Sequence, residues 1–101
     1  MRIIVFFDLP TQTTKDRSNY TRFRKFLIEN GFIMLQFSVY GKLVLNKTSE
    51  EIIKEKVRKQ CPNHGLVQII CITEKQFNKM EFIVGTSQKI VIDSDKRLVV
   101  L

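Results

Sequence analysis

The residue with the clearest chemical potential is Asp8, which directly follows an unbroken apolar run at residues 3–7. Such a run predicts a central strand that is buried on both faces. A carboxylate at the end of this strand is costly to bury alone, so we expect it at the rim of the sheet or beside a cation. Pro10 then ends the strand, because proline cannot donate to a sheet ladder. The sequence thus predicts one acid held rigidly at the end of a core strand.

Two roles are open for Asp8, one catalytic and one structural. A single carboxylate cannot hold Mg²⁺, which takes octahedral oxygen ligation from one or two carboxylates, water and phosphate. If the strand ends near a two-fold axis, a second copy supplies another Asp8, and the ion would activate water against a phosphodiester. Alternatively, Asp8 accepts backbone N–H bonds from residues 11–14 and closes the turn. The nearby Asp16 is expected to cap the following helix.

The charge of the chain favours a polyanionic partner. Lysine and arginine number 17 against 10 acidic residues, which gives a net charge of +7 and a pI of about 9.7. Nucleic acid is the simplest such partner, and a basic surface kept for solubility is the alternative. The cations of the first helix are the candidates for phosphate contact, Arg17 first because it lies nearest the end of the strand. The others are Lys15, Arg22, Arg24 and Lys25.

Length and cysteine content exclude several classes of protein. With 101 residues the chain is expected to form a single domain, 1–101, and it contains no apolar run long enough to span a membrane. Asp8 interrupts the first apolar run too early for a signal peptide. Cys61 and Cys71 form no CxxC pair and indicate reduced thiols in a cytoplasmic protein. With His64 as the only other soft ligand, zinc is disfavoured.

The first half of the chain predicts a strand, a helix and a β-rich segment. Thr13, Thr14 or Asp16 is expected to cap a helix that runs to about Asn30, with an apolar face made of Tyr20, Phe23, Phe26 and Leu27. Residues 32–46 are too long for one strand, so two strands or a bent hairpin are expected. The turn is not fixed by the sequence, since Gly41 and a bulge near Ser38 are both possible.

The second half predicts another helix and another strand before a β-prone tail. A capping box at Thr48, Ser49 and Glu51 is expected to start the helix, and Pro62 to end it. Its expected apolar face comprises Ile52, Ile53, Val57 and Cys61. The next strand is expected at residues 66–73. Short β-prone segments follow at 80–84, 89–92 and 97–101.

The order βαββαβ through residue 73 predicts an α+β, ferredoxin-like domain with an antiparallel sheet and two helices on one face. The other face needs cover, and the apolar C-terminal strands at 74–101 would leave exposed edges. We therefore expect a homodimer in which these strands extend onto the partner chain. The alternative is that they complete the sheet of their own chain.

Three short motifs resemble the CRISPR-associated protein two family, the small subunit of spacer acquisition. They are the pair Phe7-Asp8 at the end of the strand, the basic Arg17 of the following polar segment, and QFSVY at residues 36–40. The stretches VFFDLP and QFSVYGKL are similar in particular to members from type II systems of Gram-positive bacteria. The resemblance covers most of the chain and fits its length.

The resemblance implies a symmetric ferredoxin-like dimer with Asp8 at the interface as a magnesium ligand and catalytic carboxylate. Arg17, Ser38 and Tyr40 carry over as further functional positions, and Ser38 and Tyr40 are candidates for nucleic-acid binding. It also implies that the dimer bridges CRISPR integrase dimers and holds duplex DNA. A metal-dependent endonuclease acting alone on RNA or duplex DNA is the competing expectation. A ferredoxin-like dimer without a nucleic-acid role is the third.

Overall fold

The computed structural model describes residues 1–85 as an antiparallel four-stranded sheet with helices. The chain order is β1 (Arg2–Asp8), α1 (Thr14–Glu29), β2 (Ile33–Gln36), β3 (Val39–Leu43), α2 (Lys47–Gln60), β4 (Leu66–Ile72) and α3 (Glu74–Asn78). The strand order in the sheet is β2-β3-β1-β4, and every neighbouring pair is antiparallel. The predicted βαββαβ order is confirmed, with β1 as a central strand.

The core lies between the sheet and the two long helices. Alternate residues of β1, Ile3, Val5 and Phe7, are buried in one cluster with Phe23 of α1 and Val57 of α2. This is the period-two pattern of a strand packed against a period-3.6 helical face. The predicted apolar face of α1 is confirmed, since Phe23 and Leu27 are buried and Tyr20 and Phe26 pack against them.

The opposite side of the sheet, which we call the open face, remains apolar and exposed. Antiparallel partners point to the same side, so Phe6 and Ile4 share this side with β4 residues Gln68 and Ile70. The large exposed side chains of the open face are Phe6, Ile33, Leu35, Leu43, Leu66 and Ile70. Among the four described strands, Arg2 is the only cation on this side, and it pairs with Glu74.

Helix α2 differs from its prediction at two points. Its N-cap is Asn46, whose Oδ1 accepts from the Ser49 amide at 2.8 Å, and not the box at Thr48 and Ser49. Ile52 was expected on the buried face but is 52% exposed, and Glu50 is buried instead. The apolar pattern favours isoleucine over a charged residue for the buried face. Glu50 can nevertheless be buried because it forms an ion pair with Lys54.

The other differences lie in the hairpin and after β4. The turn between β2 and β3 falls at Phe37 and Ser38, while Gly41 lies within β3 beside Ile4 and Leu35. Residues 80–84 form no strand within the single chain, and the unpredicted α3 precedes them. The β-prone segments 89–92 and 97–101 lie outside the described residues. None of the described helices is long and apolar enough to cross a membrane.

Candidate functional site

Asp8 ends β1 opposite Leu66 of β4, and its side chain is exposed. Among residues 1–85 its carboxylate takes part in no hydrogen bond and no ion pair. The side-chain bonds of the following turn are made by others: Thr13 and Asp16 form the capping box of α1, with distances of 3.0 and 3.3 Å. The alternative in which Asp8 closes this turn is therefore wrong. No side chain of residues 1–85 occupies its carboxylate, which can therefore meet a ligand.

A cleft of about 240 Å³ opens beside Asp8 at the end of the sheet. Ser38 lies in this cleft, close to Asp8 as expected, and its carbonyl accepts the Phe7 amide at 3.1 Å. Ser38 has a positive φ of 64°, which is uncommon for a residue other than glycine. The complete lining is Phe6, Phe7, Asp8, Phe37, Ser38, Val39, Leu66 and Gln68.

Sequence reasoning missed Gln68 as a neighbour of Asp8. It is the one polar residue among the apolar residues of β4, LVQIICI, and its register opposite Phe6 places it on the open face. A single amide in such a strand is the signal that could have been followed. Phe37, 81% exposed at the tip of the hairpin turn, forms another wall of the cleft.

The donor chemistry of Asp8 fits a hard cation, but residues 1–85 of one chain supply too few donors. Carboxylate oxygens are the ligands that Mg²⁺ prefers. Among residues 1–85, no group of three or more His, Cys, Asp or Glu side chains could hold a metal. A metal site at Asp8 thus needs donors from beyond these residues, such as a second Asp8, water or phosphate.

Arg17 braces the segment that joins Asp8 to α1. Its Nη1 donates to the carbonyl oxygens of Thr11 and Gln12, both at 3.2 Å, and its Nη2 to the Thr14 hydroxyl at 3.4 Å. The structure therefore places Arg17 near the end of β1, as expected. Part of its hydrogen-bonding capacity is used within its own chain.

The solvent side of α1 forms a shallow groove of about 490 Å³ that is lined by three cations and three hydroxyls. The lining residues are Thr14, Arg17, Ser18, Thr21, Arg22 and Lys25. We call this surface the α1 groove; Lys15 is exposed next to it in the first turn. Cations and hydroxyls are the groups that contact phosphate oxygens in nucleic-acid complexes.

Tyr40 and Arg24 form a structural pair. Tyr40 is only 1% exposed and stacks on Phe7 at a centroid distance of 5.7 Å. Its hydroxyl accepts from the Arg24 Nε at 2.8 Å. A buried ring cannot stack on a base, so the nucleic-acid interpretation of Tyr40 is wrong. Arg24 is exposed, but one of its donors serves the core.

The shifted pKa values lie away from Asp8. A hydrogen bond from Lys54 lowers the pKa of the buried Glu50 and raises that of Lys54 itself. A hydrogen bond from Arg2 lowers the pKa of Glu74, and burial raises the pKa of the Cys71 thiol. None of these groups lines the cleft.

Comparison with known proteins identifies the family. The family model described as CRISPR associated protein Cas2 matches residues 1–80. The chain belongs to this family. The match includes Asp8, the α1 groove and the QFSVY segment, so the predicted resemblance is confirmed.

Relatives of similar length support the assignment. A protein of Treponema denticola named CRISPR-associated endoribonuclease Cas2 is 54% identical over 101 residues, all of both chains. Proteins of the same name from Ligilactobacillus salivarius and Streptococcus mutans are each 43% identical over this whole chain, and it covers 100% and 93% of theirs.

A solved Cas2 structure confirms the ferredoxin-like fold. The crystal structure of Streptococcus pyogenes Cas2 at pH 6.5 matches with a TM-score of 0.64 and 19% sequence identity. The match covers 84% of this chain and 100% of that one.

Proposed function

We propose that this chain acts in CRISPR spacer acquisition as a homodimer that binds duplex DNA and bridges integrase dimers. We propose further that its paired Asp8 residues hold Mg²⁺ and support phosphodiester cleavage. The observation that carries the proposal is the division of surface chemistry: the α1 groove is basic, and the open face is apolar with a free acid at its rim.

The α1 groove supports the nucleic-acid part of the proposal. Its exposed cations, Arg22 and Lys25, share the groove with the hydroxyls of Ser18 and Thr21. Neutralising phosphates with such cations releases counterions, so binding falls steeply with salt and is largely independent of sequence. A partner that bridges complexes on any spacer needs this kind of contact.

The open face supports a second copy of the chain as its cover. A single chain leaves Leu66 and Ile70 of β4 half exposed beside Phe6 of β1. Patches of this kind mark interaction sites. The strand cation of this side, Arg2, is neutralised by Glu74, so two such faces can meet without cationic repulsion. A two-fold axis near the rim would also bring two Asp8 side chains together.

Under the proposal each partner of the dimer contributes one Asp8 carboxylate to the ion. Bound Mg²⁺ would supply charge neutralisation and an activated water for hydrolysis. The chain's own part is to hold Asp8 at the end of β1 and to place the phosphate backbone through its basic residues.

An endonuclease that acts without an integrase is the second candidate. The relatives named CRISPR-associated endoribonuclease favour it, as does the free carboxylate of Asp8 in an open cleft. The bridging dimer and the independent endonuclease share the Asp8 site. They differ in whether the main function of the protein is binding or cleavage. A ferredoxin-like dimer with no nucleic-acid role would leave the α1 groove unexplained.

The decisive variant is Asp8→Asn, with Asp16→Asn as the control that removes one acid while keeping an oxygen for the helix cap. Cleavage of RNA and duplex DNA with Mg²⁺ and duplex binding by fluorescence anisotropy are measured on both. We expect Asp8→Asn to lose cleavage by about a hundredfold or more, as for loss of an essential catalytic group, and to bind duplex as the wild type does. Asp16→Asn should retain both properties.

Two outcomes would contradict the proposal. A wild-type dimer that cleaves neither substrate with any divalent ion would remove the catalytic part. Loss of duplex binding in Asp8→Asn, but not in Asp16→Asn, would contradict the separation of the α1 groove from the Asp8 site.

A further inference from the structure

We propose that Gly65 is a positioning residue for Asp8, an inference that rests on the proposed role of Asp8 as a metal ligand. Gly65 lies in the turn between α2 and β4 and immediately precedes Leu66, the register partner of Asp8. Its backbone φ is +93°, in the left-handed region that favours glycine.

The space beside Gly65 is taken by the backbone of Asp8 and Leu9. A Cβ at position 65 would lie 2.7 Å from the Asp8 carbonyl oxygen and 3.1 Å from the Leu9 Cα. It would also lie 2.9 Å from the Leu9 Cδ2. Two of these three atoms are main chain and cannot rotate away. A side chain here would therefore push the end of β1 out of place.

The other side of β1 is held by the hairpin turn. The Phe7 amide donates to the Ser38 carbonyl at 3.1 Å. Ser38 itself has a left-handed backbone conformation. The last residues of β1 are thus fixed between two special backbone positions, Ser38 toward β3 and Gly65 toward β4. Because the Asp8 carboxylate makes no side-chain bond within residues 1–85, the backbone of β1 is what positions it among these residues.

Accurate placement matters for the ion that Asp8 is proposed to bind. Mg²⁺ demands near-ideal octahedral geometry at about 2.0–2.1 Å. A misplacement of about 1 Å can cost on the order of a hundredfold in function. Displacing Asp8 in both partners of a dimer would disturb both carboxylates at once.

The chain offers two matched controls for Gly65. Gly31 also has a positive φ, +87°, but a Cβ there would meet only the flexible end of the Lys42 side chain, with Nζ at 2.6 Å. Gly85 has a φ of +98°, and a Cβ there would have no neighbour within 4 Å among the described residues. Alanine at these positions adds backbone strain without displacing Asp8.

The experiment compares Gly65→Ala with Gly31→Ala, Gly85→Ala and Asp8→Asn in the full-length dimer. Backbone amide chemical shifts and hydrogen exchange report the location of Asp8 and its pairing with Leu66. Mn²⁺ binding followed by electron paramagnetic resonance reports the metal site. We expect Gly65→Ala alone among the glycine variants to shift the Asp8 signal and to lower Mn²⁺ affinity by about tenfold or more.

If Gly65→Ala fails to fold, Gly65→Asn takes its place, since asparagine tolerates a positive φ better but still carries a Cβ. Unmoved Asp8 signals in the folded variant would overturn the inference. Unchanged Mn²⁺ affinity would also overturn it, provided that Asp8→Asn loses Mn²⁺. If Asp8→Asn binds Mn²⁺ like the wild type, the proposed metal site itself fails, and the shift data still show whether Gly65 holds Asp8.

Discussion

Helices α1 and α2 both cover the same face of the sheet and both are rich in lysine and arginine, but their charges are used differently. On α2 the acids lie one turn from cations and pair with them: Lys54 meets Glu50 at 2.6 Å, and Arg58 meets Glu55 at 2.9 Å. Within the described residues no cation of α1 forms an ion pair. Arg17 and Arg24 donate to neutral oxygens instead.

This difference in ion pairing decides on which helix a polyanion gains the most binding energy. A phosphate that binds α2 must compete with carboxylates already present, whereas the α1 cations have no acidic partner to displace among residues 1–85. Net charge and pI count both helices alike, so they indicate a polyanionic partner without locating it. The pattern of internal pairing gives the location, and it favours α1.

The largest effect is expected from removing the free charges of α1. The triple variant Lys15→Gln, Arg22→Gln and Lys25→Gln should weaken duplex binding by on the order of a hundredfold at 0.1 M salt, because three phosphate contacts are lost. The slope of log affinity against log salt should fall by about three. Fluorescence anisotropy across a salt series measures both quantities.

The matched control lies on α2, where Lys56→Gln and Lys59→Gln remove exposed cations near the paired ones. For each charge removed, this variant should lose less duplex affinity than the α1 triple variant does. Equal losses per charge would show that nucleic acid covers both helices alike, and the contrast between them would no longer locate the binding surface.

A smaller effect, on stability, is expected from breaking the buried pair of α2. Lys54→Met leaves the Glu50 carboxylate, 3% exposed, without its closest cation, so the melting temperature should fall clearly. The double variant Glu50→Gln and Lys54→Met should recover most of the loss. Arg58→Met, in an exposed pair, should cost about 0.5 kcal/mol or less.

The pH dependence of unfolding checks the same pair. The hydrogen bond from Lys54 lowers the pKa of Glu50. The ionised Glu50 therefore contributes to folding stability at neutral pH. This contribution is lost as pH falls from about 4.3, the ordinary glutamate value, through the lower folded value. Glu50→Gln should make this acid loss shallower. If Lys54→Met instead reduces duplex affinity as strongly as the α1 variants, the ion pairs of α2 do not exclude phosphate from this helix.

Much of the fold could be predicted from local patterns. The apolar run before Asp8 located a central strand, and the Thr13 cap and the aromatic stripe located α1. Prediction failed where long-range contacts override the local pattern. Glu50 is buried because Lys54 accompanies it, and the hairpin turns at Ser38 because the Phe7 amide binds its carbonyl.

The candidate site was predicted less completely than the fold. The position of Asp8 directly after the apolar run was enough to predict that it lies at the end of the strand. Side-chain type could not show that Tyr40 points into the core, since an aromatic residue in a half-buried strand fits either face. Gln68 and Gly65 approach Asp8 only through the pairing of β1 with β4, which contacts across the fold determine.

The smallest effect separates two arginines within α1 itself. Arg24→Gln leaves the buried Tyr40 hydroxyl without its charged donor, so we expect a stability loss of about 1–2 kcal/mol in urea unfolding. Arg22→Gln, two residues earlier in the α1 groove, should stay within about 0.5 kcal/mol while weakening duplex binding. In the Tyr40→Phe background the Arg24→Gln loss should shrink, because the acceptor is gone. An equal loss in both backgrounds would mean that Arg24 stabilises α1 by contacts other than its hydrogen bond to Tyr40.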